Sequence, residues 1–216
     1  MHNKCDNSNI VIEDGIIAGN YYDKYGTNNP VARLLMQNFF CDVNSLVGIA
    51  KSTDIHEIGC GEGHLSRILA KNNLRVRGSD FSSQVVEKAI AISAKEGIAV
   101  PFKAASIYDM NPSADAAELI VCCEVLEHLD DPEKALAIIS QLAKPYLLVS
   151  VPREPLWCML NLLRGKYLTH WGNTPGHIQH WSRRSFITFL SKYFDVMEVR
   201  TPTPWVVALC SVKNAL

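Results

Sequence analysis

The sequence lacks a surplus of charge of either sign. Its 21 Lys and Arg against 22 Asp and Glu leave a formal net charge of -1, so nothing in the balance draws it to a phosphate backbone, and nucleic acid is not an expected partner. It also lacks any apolar run near the ~20 residues that a bilayer-spanning helix needs. The first residues, Met1 to Gly15, are polar and acidic where a secretory leader would be basic and then apolar. A cytoplasmic protein without a membrane span is the expectation. Paired cysteines are missing as well. The 7 cysteines (Cys5, Cys41, Cys60, Cys122, Cys123, Cys158 and Cys210) are odd in number, scattered and never spaced Cys-x-x-Cys, which argues against a disulfide framework or a zinc ribbon and fits reduced thiols.

What the chain has is a sustained alternation. With 216 residues, 48% of them hydrophobic and 20% charged, it has the size and balance to bury one core. From Asp54 onward short apolar runs alternate with helix-like stretches, the pattern of a parallel sheet flanked by helices. The spacing predicts strands over Ile55 to Cys60, Leu74 to Asp80, Val100 to Ala105, Leu119 to Val125 and Tyr146 to Val151. It predicts helices over Gly63 to Lys71, Ser82 to Lys95, and from Asp131 and Pro132 to about Leu142. Ser82 and Asp131 are capping residue types, and Pro132 suits a first turn.

After Pro152 the rhythm breaks for about thirty residues, and so long a connection in a compact domain is usually functional. Leu156 to Leu163 reads as an apolar helix or lid, Thr169 to Trp181 as a His- and Trp-rich stretch, and Arg183 to Tyr193 as a helix. The last two strands, Val196 to Val199 and Trp205 to Val212, are joined by too few residues for a crossover helix, so they pair antiparallel. Ahead of the sheet, Pro30 to Ala50 carries apolar residues at helical spacing after a cluster of Tyr21, Tyr22 and Tyr25. That segment is either a helix packed on the sheet or a lid over a ligand. The expected organisation is an N-terminal helical segment or lid over residues 1–50, then the main domain over residues 51–216 with a lid insertion at 153–181.

The strongest local signal is Glu57-Ile58-Gly59-Cys60-Gly61-Glu62-Gly63, a glycine-rich turn between a strand and a helix. Glycines there let the backbone turn tightly and approach a ligand that a Cβ would exclude. The dinucleotide fingerprint fails, because its third glycine position is His64, while Glu57 places a carboxylate in the end of the first strand. That carboxylate repels a pyrophosphate and attracts a sulfonium or an ammonium. Asp80 closes the second strand, where an acidic side chain accepts hydrogen bonds from both ribose hydroxyls. An unphosphorylated adenosine joined to a cationic amino-acid tail satisfies both conditions.

Three motifs, Glu57-x-Gly59-x-Gly61-x-Gly63, Gly78-Ser79-Asp80-Phe81-Ser82 and Cys123-Glu124-Val125-Leu126-Glu127-His128-Leu129, make the stretch from Asp54 to Val212 resemble the class I S-adenosylmethionine-dependent methyltransferases. The resemblance implies an α/β, Rossmann-like, seven-stranded and mostly parallel sheet with an antiparallel last strand and helices on both faces. It implies S-adenosylmethionine as cofactor, with the loop of Glu57, Gly59, Cys60, Gly61 and Gly63 against the methionine portion, Asp80 on the ribose and Phe81 near the adenine. Many members carry an Asp after the third strand; here the position holds Ser106, followed by Ile107, so that contact is weaker or made by backbone. Cys123 and Glu124 complete the expected cofactor shell, with Tyr21 joining it if the first segment is a lid.

Methyl transfer requires an aligned, desolvated nucleophile, and then a base or a metal to deprotonate it. Glu124, Glu127 and His128 are spaced i, i+3, i+4 after the fourth strand, so a helical turn there points all three one way. With His177, from Gly176-His177-Ile178-Gln179-His180-Trp181-Ser182, they form a candidate site for a divalent ion, Mg or Mn. The set resembles the metal-dependent small-RNA 2'-O-methyltransferases, and its Glu124-x-x-Glu127-His128 part the ubiquinone-pathway O-methyltransferases. The alternative is that Glu127 and His128 only cap the turn, with His128 at most a general base. His56 and His64 read as structural. Leu156 to Leu163 with Trp157, Trp171 and Trp181 form either an apolar wall for an acceptor or an ordinary core helix. The leading expectation is a methyltransferase acting on a small-molecule or glycan-precursor acceptor, through oxygen. RNA 2'-O-methylation and a non-catalytic cofactor-binding subunit are the alternatives, and the oligomeric state is open.

Overall fold

The computed structural model describes residues 11–13, 16–18, 29–165 and 167–213. The order of elements is β1 (Val11–Glu13), β2 (Ile16–Ala18), α1 (Pro30–Ala50), β3 (Asp54–Ile58), α2 (His64–Ala70), β4 (Arg75–Asp80), α3 (Ser83–Glu96) and β5 (Phe102–Ala104). There follow α4 (Pro112–Asp115), β6 (Ala117–Cys123), α5 (Pro132–Leu142), β7 (Ala143–Pro152), α6 (Leu156–Leu163), α7 (Arg183–Leu190), β8 (Phe194–Arg200) and β9 (Trp205–Val212). Strands β1 and β2 pair antiparallel as a separate 2-stranded sheet, and the other 7 form one sheet in the order β5-β4-β3-β6-β7-β9-β8. Strands β3 to β7 pair parallel, and β9 runs antiparallel to both β7 and β8.

This topology follows from strands that are apolar on both faces. In β6, Leu119 and Val121 enter one core while Ile120 and Cys122 enter the other; in β9, Val207 and Leu209 face the first, and Val206, Ala208 and Cys210 the second. Such strands need helices on both sides of the sheet. One core is closed by α1 and α2, the other by α5 and α7. Helix α1 buries Phe39, Val43, Leu46, Val47 and Ala50, one face at helical spacing. Full burial of a side chain such as Val43 or Leu46 contributes about 1.5–3 kcal/mol. Its start is fixed by Asn29, whose Oδ1 accepts the Val31 and Ala32 N–H groups at 2.9 and 3.3 Å. Residues 30–50 are therefore a helix packed on the sheet.

Several elements differ from expectation. The third parallel strand is only Phe102–Ala104, because Pro101 has no N–H to donate and the ladder begins after it. β7 starts three residues early, directly where α5 ends at Leu142. The β1–β2 pair was not anticipated, since three-residue strands are too short to display a period-two pattern. No helix among the described residues is long and apolar enough to cross a membrane.

The chain runs outward from β3 through β4 to β5, then returns to begin the other half at β6 beside β3. The C-terminal ends of β3 and β6 thus flank a switch in strand order, where doubly wound sheets open a ligand crevice.

Candidate active site

The loop after β3 is stitched to the end of β4. Gly59 and Cys60 both donate their N–H groups to the Ser79 carbonyl, at 2.8 and 2.9 Å. The Gly61 N–H goes to Asp80 Oδ2 at 2.9 Å, and the Ser82 N–H to Asp80 Oδ1 at 3.1 Å. Gly59 and Gly61 have φ of +73° and +53°, the left-handed region. A Cβ on Gly59 would overlap the Val125 Cγ2 methyl, so its glycine serves packing. A Cβ on Gly61 would meet nothing within 4 Å, so its glycine leaves a cradle beside the Asp80 carboxylate.

Glu57 lies beneath this loop rather than on its surface. It is 5% exposed and its Oε2 accepts the Ser66 hydroxyl. Burial pushes its carboxyl up from 4.5 to about 7, the Ser66 bonds partly opposing the rise and the Asp80 charge adding to it. Cys60 is buried, and burial holds its thiol well above the ordinary range, as it does for Cys123; both are protonated and unsuited to be nucleophiles. Phe81 is 37% exposed at the end of β4. Ser106 accepts the Tyr108 N–H at 3.3 Å as cap of the short turn Ile107–Asp109, and the Ile107 side chain is in the core. Tyr21 lies outside the described residues. His56 is structural: with Nδ1 on the Asp115 carbonyl at 2.7 Å and Nε2 on Ser79 Oγ at 2.9 Å, it braces the strand ends under the loop.

The opposite wall is built after β6. Glu124 is a non-glycine residue in the left-handed region, φ +59°, and its carboxylate is clamped on both oxygens, by Ser150 Oγ at 3.0 Å and by Trp205 Nε1 at 2.6 Å. This kink leads into the short turn Leu126–His128. Loop 176–179 then docks on that turn. The Glu127 carbonyl accepts the Ile178 and Gln179 N–H groups at 2.9 and 3.0 Å, and Gln179 Nε2 donates to the Leu129 carbonyl at 3.1 Å. His128 Nδ1 lies 2.8 Å from the Gly176 carbonyl. A carbonyl only accepts, so Nδ1 carries the hydrogen and Nε2 the lone pair of the neutral ring.

This docking brings together Glu127, His128 and His177, whose ligating atoms all lie within 4.8 Å of one another. His128 and His177 meet edge to face with ring centroids 4.8 Å apart, and Trp157 stacks on His177 at 5.7 Å. Two imidazoles and a carboxylate suit a divalent cation chemically. Glu124 is not in that group, its carboxylate being directed to Ser150 and Trp205. Helix α6 is fastened to the same loop: Trp157 Nε1 donates to Thr174 Oγ1 at 2.9 Å, and Asn161 Nδ2 to the Gly172 carbonyl at 2.9 Å. Four supporting residues were not foreseen. Ser66 had a readable signal, three positions after Gly63 on the first helical turn. Ser150, Asn161 and Trp205 had none, since each acts across the fold.

The chain matches the protein family described as a methyltransferase domain over residues 34–193. It is 30% identical over 95 residues to the ubiquinone biosynthesis O-methyltransferase of Coxiella burnetii, a stretch that is 44% of this chain and 41% of that protein. The corresponding enzyme of Pasteurella multocida is 30% identical over 142 residues, 60% of this chain and 57% of that one. The chain thus aligns with about half the length of these relatives. Among solved structures, magnesium protoporphyrin IX methyltransferase from Synechocystis PCC 6803 with bound SAH superposes with a TM-score of 0.66 at 19% identity, covering 87% of this chain and 90% of that one. A sheet with this order, a glycine loop tied to the acid that ends β4, and a family match across most of the chain identify it as a member of the class I S-adenosylmethionine-dependent methyltransferases.

Proposed function

We propose that the protein transfers the methyl group of S-adenosylmethionine to a hydroxyl of a small-molecule or glycan-precursor acceptor. The observation that carries this reading is the Gly61 cradle, open space beside a buried carboxylate at the switch point of the sheet. Asp80, at the end of β4, would accept the ribose hydroxyls, and Phe81 beside it would pack near the adenine. Glu57, behind the loop, favours the cationic end of the cofactor once ionised. When bound, the cofactor supplies a methyl carbon to the acceptor oxygen while its sulfur keeps the electrons of the broken bond and loses its charge. His128 Nε2 takes the hydroxyl proton, the ring being held in register by the Gly176 carbonyl. Trp157 and His177 form the wall that keeps water from the acceptor. Oxygen as the receiving atom is supported by the ubiquinone biosynthesis O-methyltransferases that the chain resembles in part.

The test is calorimetry with S-adenosylmethionine followed by labelled methyl transfer to a panel of hydroxylated metabolites. Asp80→Ala is expected to weaken cofactor binding by about tenfold or more, the cost of a lost charge-assisted hydrogen bond. A protein that takes up no cofactor refutes the reading. A second reading is favoured by the 4.8 Å grouping of Glu127, His128 and His177: these three would hold a divalent cation, whose charge would supply orientation and acidification of the acceptor hydroxyl. Loss of transfer on chelation and its return with Mg or Mn would support this, and chelator-insensitive transfer would dismiss it.

A further inference from the structure

Ser79 stands in β4 one position before Asp80 and is tied on two sides. Its carbonyl takes the Gly59 and Cys60 N–H groups at 2.8 and 2.9 Å, the bonds that turn the chain out of β3. Its hydroxyl meets His56 Nε2 at 2.9 Å, and His56 Nδ1 meets the Asp115 carbonyl at 2.7 Å. The far end of this chain of bonds fixes its direction. A carbonyl only accepts, so Nδ1 carries the hydrogen, Nε2 of the neutral ring carries the lone pair, and the Ser79 hydroxyl donates to it. His56 is 2% and Ser79 1% exposed, so water offers neither a substitute partner.

The surroundings of the ring do not welcome a positive charge. The charged groups that face it are Arg77 on β4, Lys103 on β5 and Asp115 at the end of α4. Each is already engaged. Arg77 donates to Asp54 Oδ1 at 2.7 Å and to the Ala116 carbonyl, Lys103 Nζ lies 3.3 Å from Asp115 Oδ1, and Asp115 Oδ2 accepts the Asn111 N–H at 2.9 Å. Burial lowers the His56 pKa from 6.5; the bond to the Asp115 carbonyl opposes this, and the Arg77 charge adds to it. The neutral ring therefore contributes fully above 6.5, and its contribution is lost as the pH falls below that value.

We propose that His56 is a positioning residue for S-adenosylmethionine: through the Ser79 hydroxyl it sets the carbonyl that holds Gly59 and Cys60, and a proton on its Nε2 releases that latch and weakens cofactor binding. A protonated Nε2 becomes a donor, strands the Ser79 hydroxyl hydrogen in a buried site and leaves a charge beside Arg77 and Lys103. Relief comes from parting the ends of β3 and β4, which also disturbs the turn that brings the Gly61 N–H to Asp80. A cofactor that needs the turn closed favours the neutral ring, so its affinity and the proton are linked. This role rests on the reading that the loop and Asp80 hold S-adenosylmethionine.

The experiment is calorimetry of the full chain with S-adenosylmethionine, scanned from about pH 8 to about pH 5, across the ordinary imidazole value of 6.5, with melting curves beside it. Three variants separate the links. His56→Gln puts a neutral amide oxygen in the place of Nε2 and keeps the Ser79 bond, His56→Asn reaches only the Asp115 carbonyl, and Ser79→Ala removes the hydroxyl. At the alkaline end His56→Gln should bind within about twofold of the parent, while His56→Asn and Ser79→Ala should each bind about fivefold to tenfold more weakly. Below 6.5 the parent should lose affinity faster than His56→Gln; Glu57 titrates in both, so the difference between the curves belongs to His56. If His56→Asn does not fold, Ser79→Ala set against His56→Gln carries the comparison. Parent and His56→Gln curves that coincide across the scan overturn the proposal, as does an affinity that merely tracks the melting temperature in every variant. Parental affinity in all three variants refutes the latch and leaves the loop as the cofactor site. A parent that takes up no cofactor at any pH refutes instead the reading on which the latch rests.

Discussion

Gly59 and Gly61 sit two residues apart in the same loop and fail differently when given a methyl group. Both have positive φ, which costs an alanine about 1 kcal/mol. At Gly59 the Cβ also strikes Val125, so Gly59→Ala should lose about 3 kcal/mol or more of stability through overpacking. At Gly61 the Cβ enters open space, so Gly61→Ala should melt close to the parent and yet bind the cofactor weakly. Melting curves set beside calorimetry decide the matter, and a Gly61→Ala protein with parental affinity would show that the cradle is not the binding place. Glu57 gives a pH signature. Its carboxyl keeps a proton to about 7 in the folded chain against 4.5 when unfolded, so the folded state binds more protons across that window. The stabilisation is complete below 4.5, is lost as pH rises toward 7, and amounts to about 3 kcal/mol over the whole interval. Glu57→Gln should flatten that slope in urea midpoints taken at several pH values. Cofactor binding near pH 7 should release a proton from the parent and none from the variant, as calorimetry in two buffers of different ionisation enthalpy would record.

Elements decide how much of the site could be read in advance. The placement of the cofactor-side candidates was legible because they are local: Glu57, Gly59, Gly61 and Asp80 lie at strand ends whose positions the apolar alternation sets, and Ser82 is the cap it was expected to be. The acceptor half was legible only as residue types. Nothing within the sequence near His128 says that Gly176 will hold its ring, or that Trp205, 81 positions after Glu124, will take that carboxylate out of a cation site. Helix α6 illustrates the same limit, since its apolar composition fits a lid and a core helix alike until Asn161 and Trp157 are seen bonded to the loop. Asn161→Ala removes bonds to Gly172 and Thr174, worth about 1–3 kcal/mol locally where the group is buried. Protease cleavage around Arg164 should quicken severalfold while the global melting temperature moves little. Trp205→Phe should keep the aromatic packing on Phe39 but release Glu124, lowering the methyl-transfer rate more than cofactor affinity. Equal losses in both would mean that Glu124 belongs to the cofactor half.

At the scale of the whole molecule, cofactor-side and acceptor-side groups come from separate stretches of chain. Residues 57–82 and their ladder form one wall. Residues 124–128, joined by the loop that ends at Trp181, form the other, and Val125 of that wall lies against Gly59 of the first. Replacing residues 156–176 by a short flexible linker should therefore leave S-adenosylmethionine binding within about threefold of the parent, the range expected when a distant and independent site is altered, while abolishing transfer. Loss of both would show the halves to be one cooperative unit.

The clamp of loop 176–179 on the Glu127 carbonyl carries a final consequence. Because the N–H groups of Ile178 and Gln179 make it, side-chain substitutions at those two positions leave its hydrogen bonds in place, so the imidazole pair keeps its spacing while the side chains around it vary. A scaffold of that kind can exchange one acceptor for another by altering the insertion alone, with the methyl-donor machinery left as it stands.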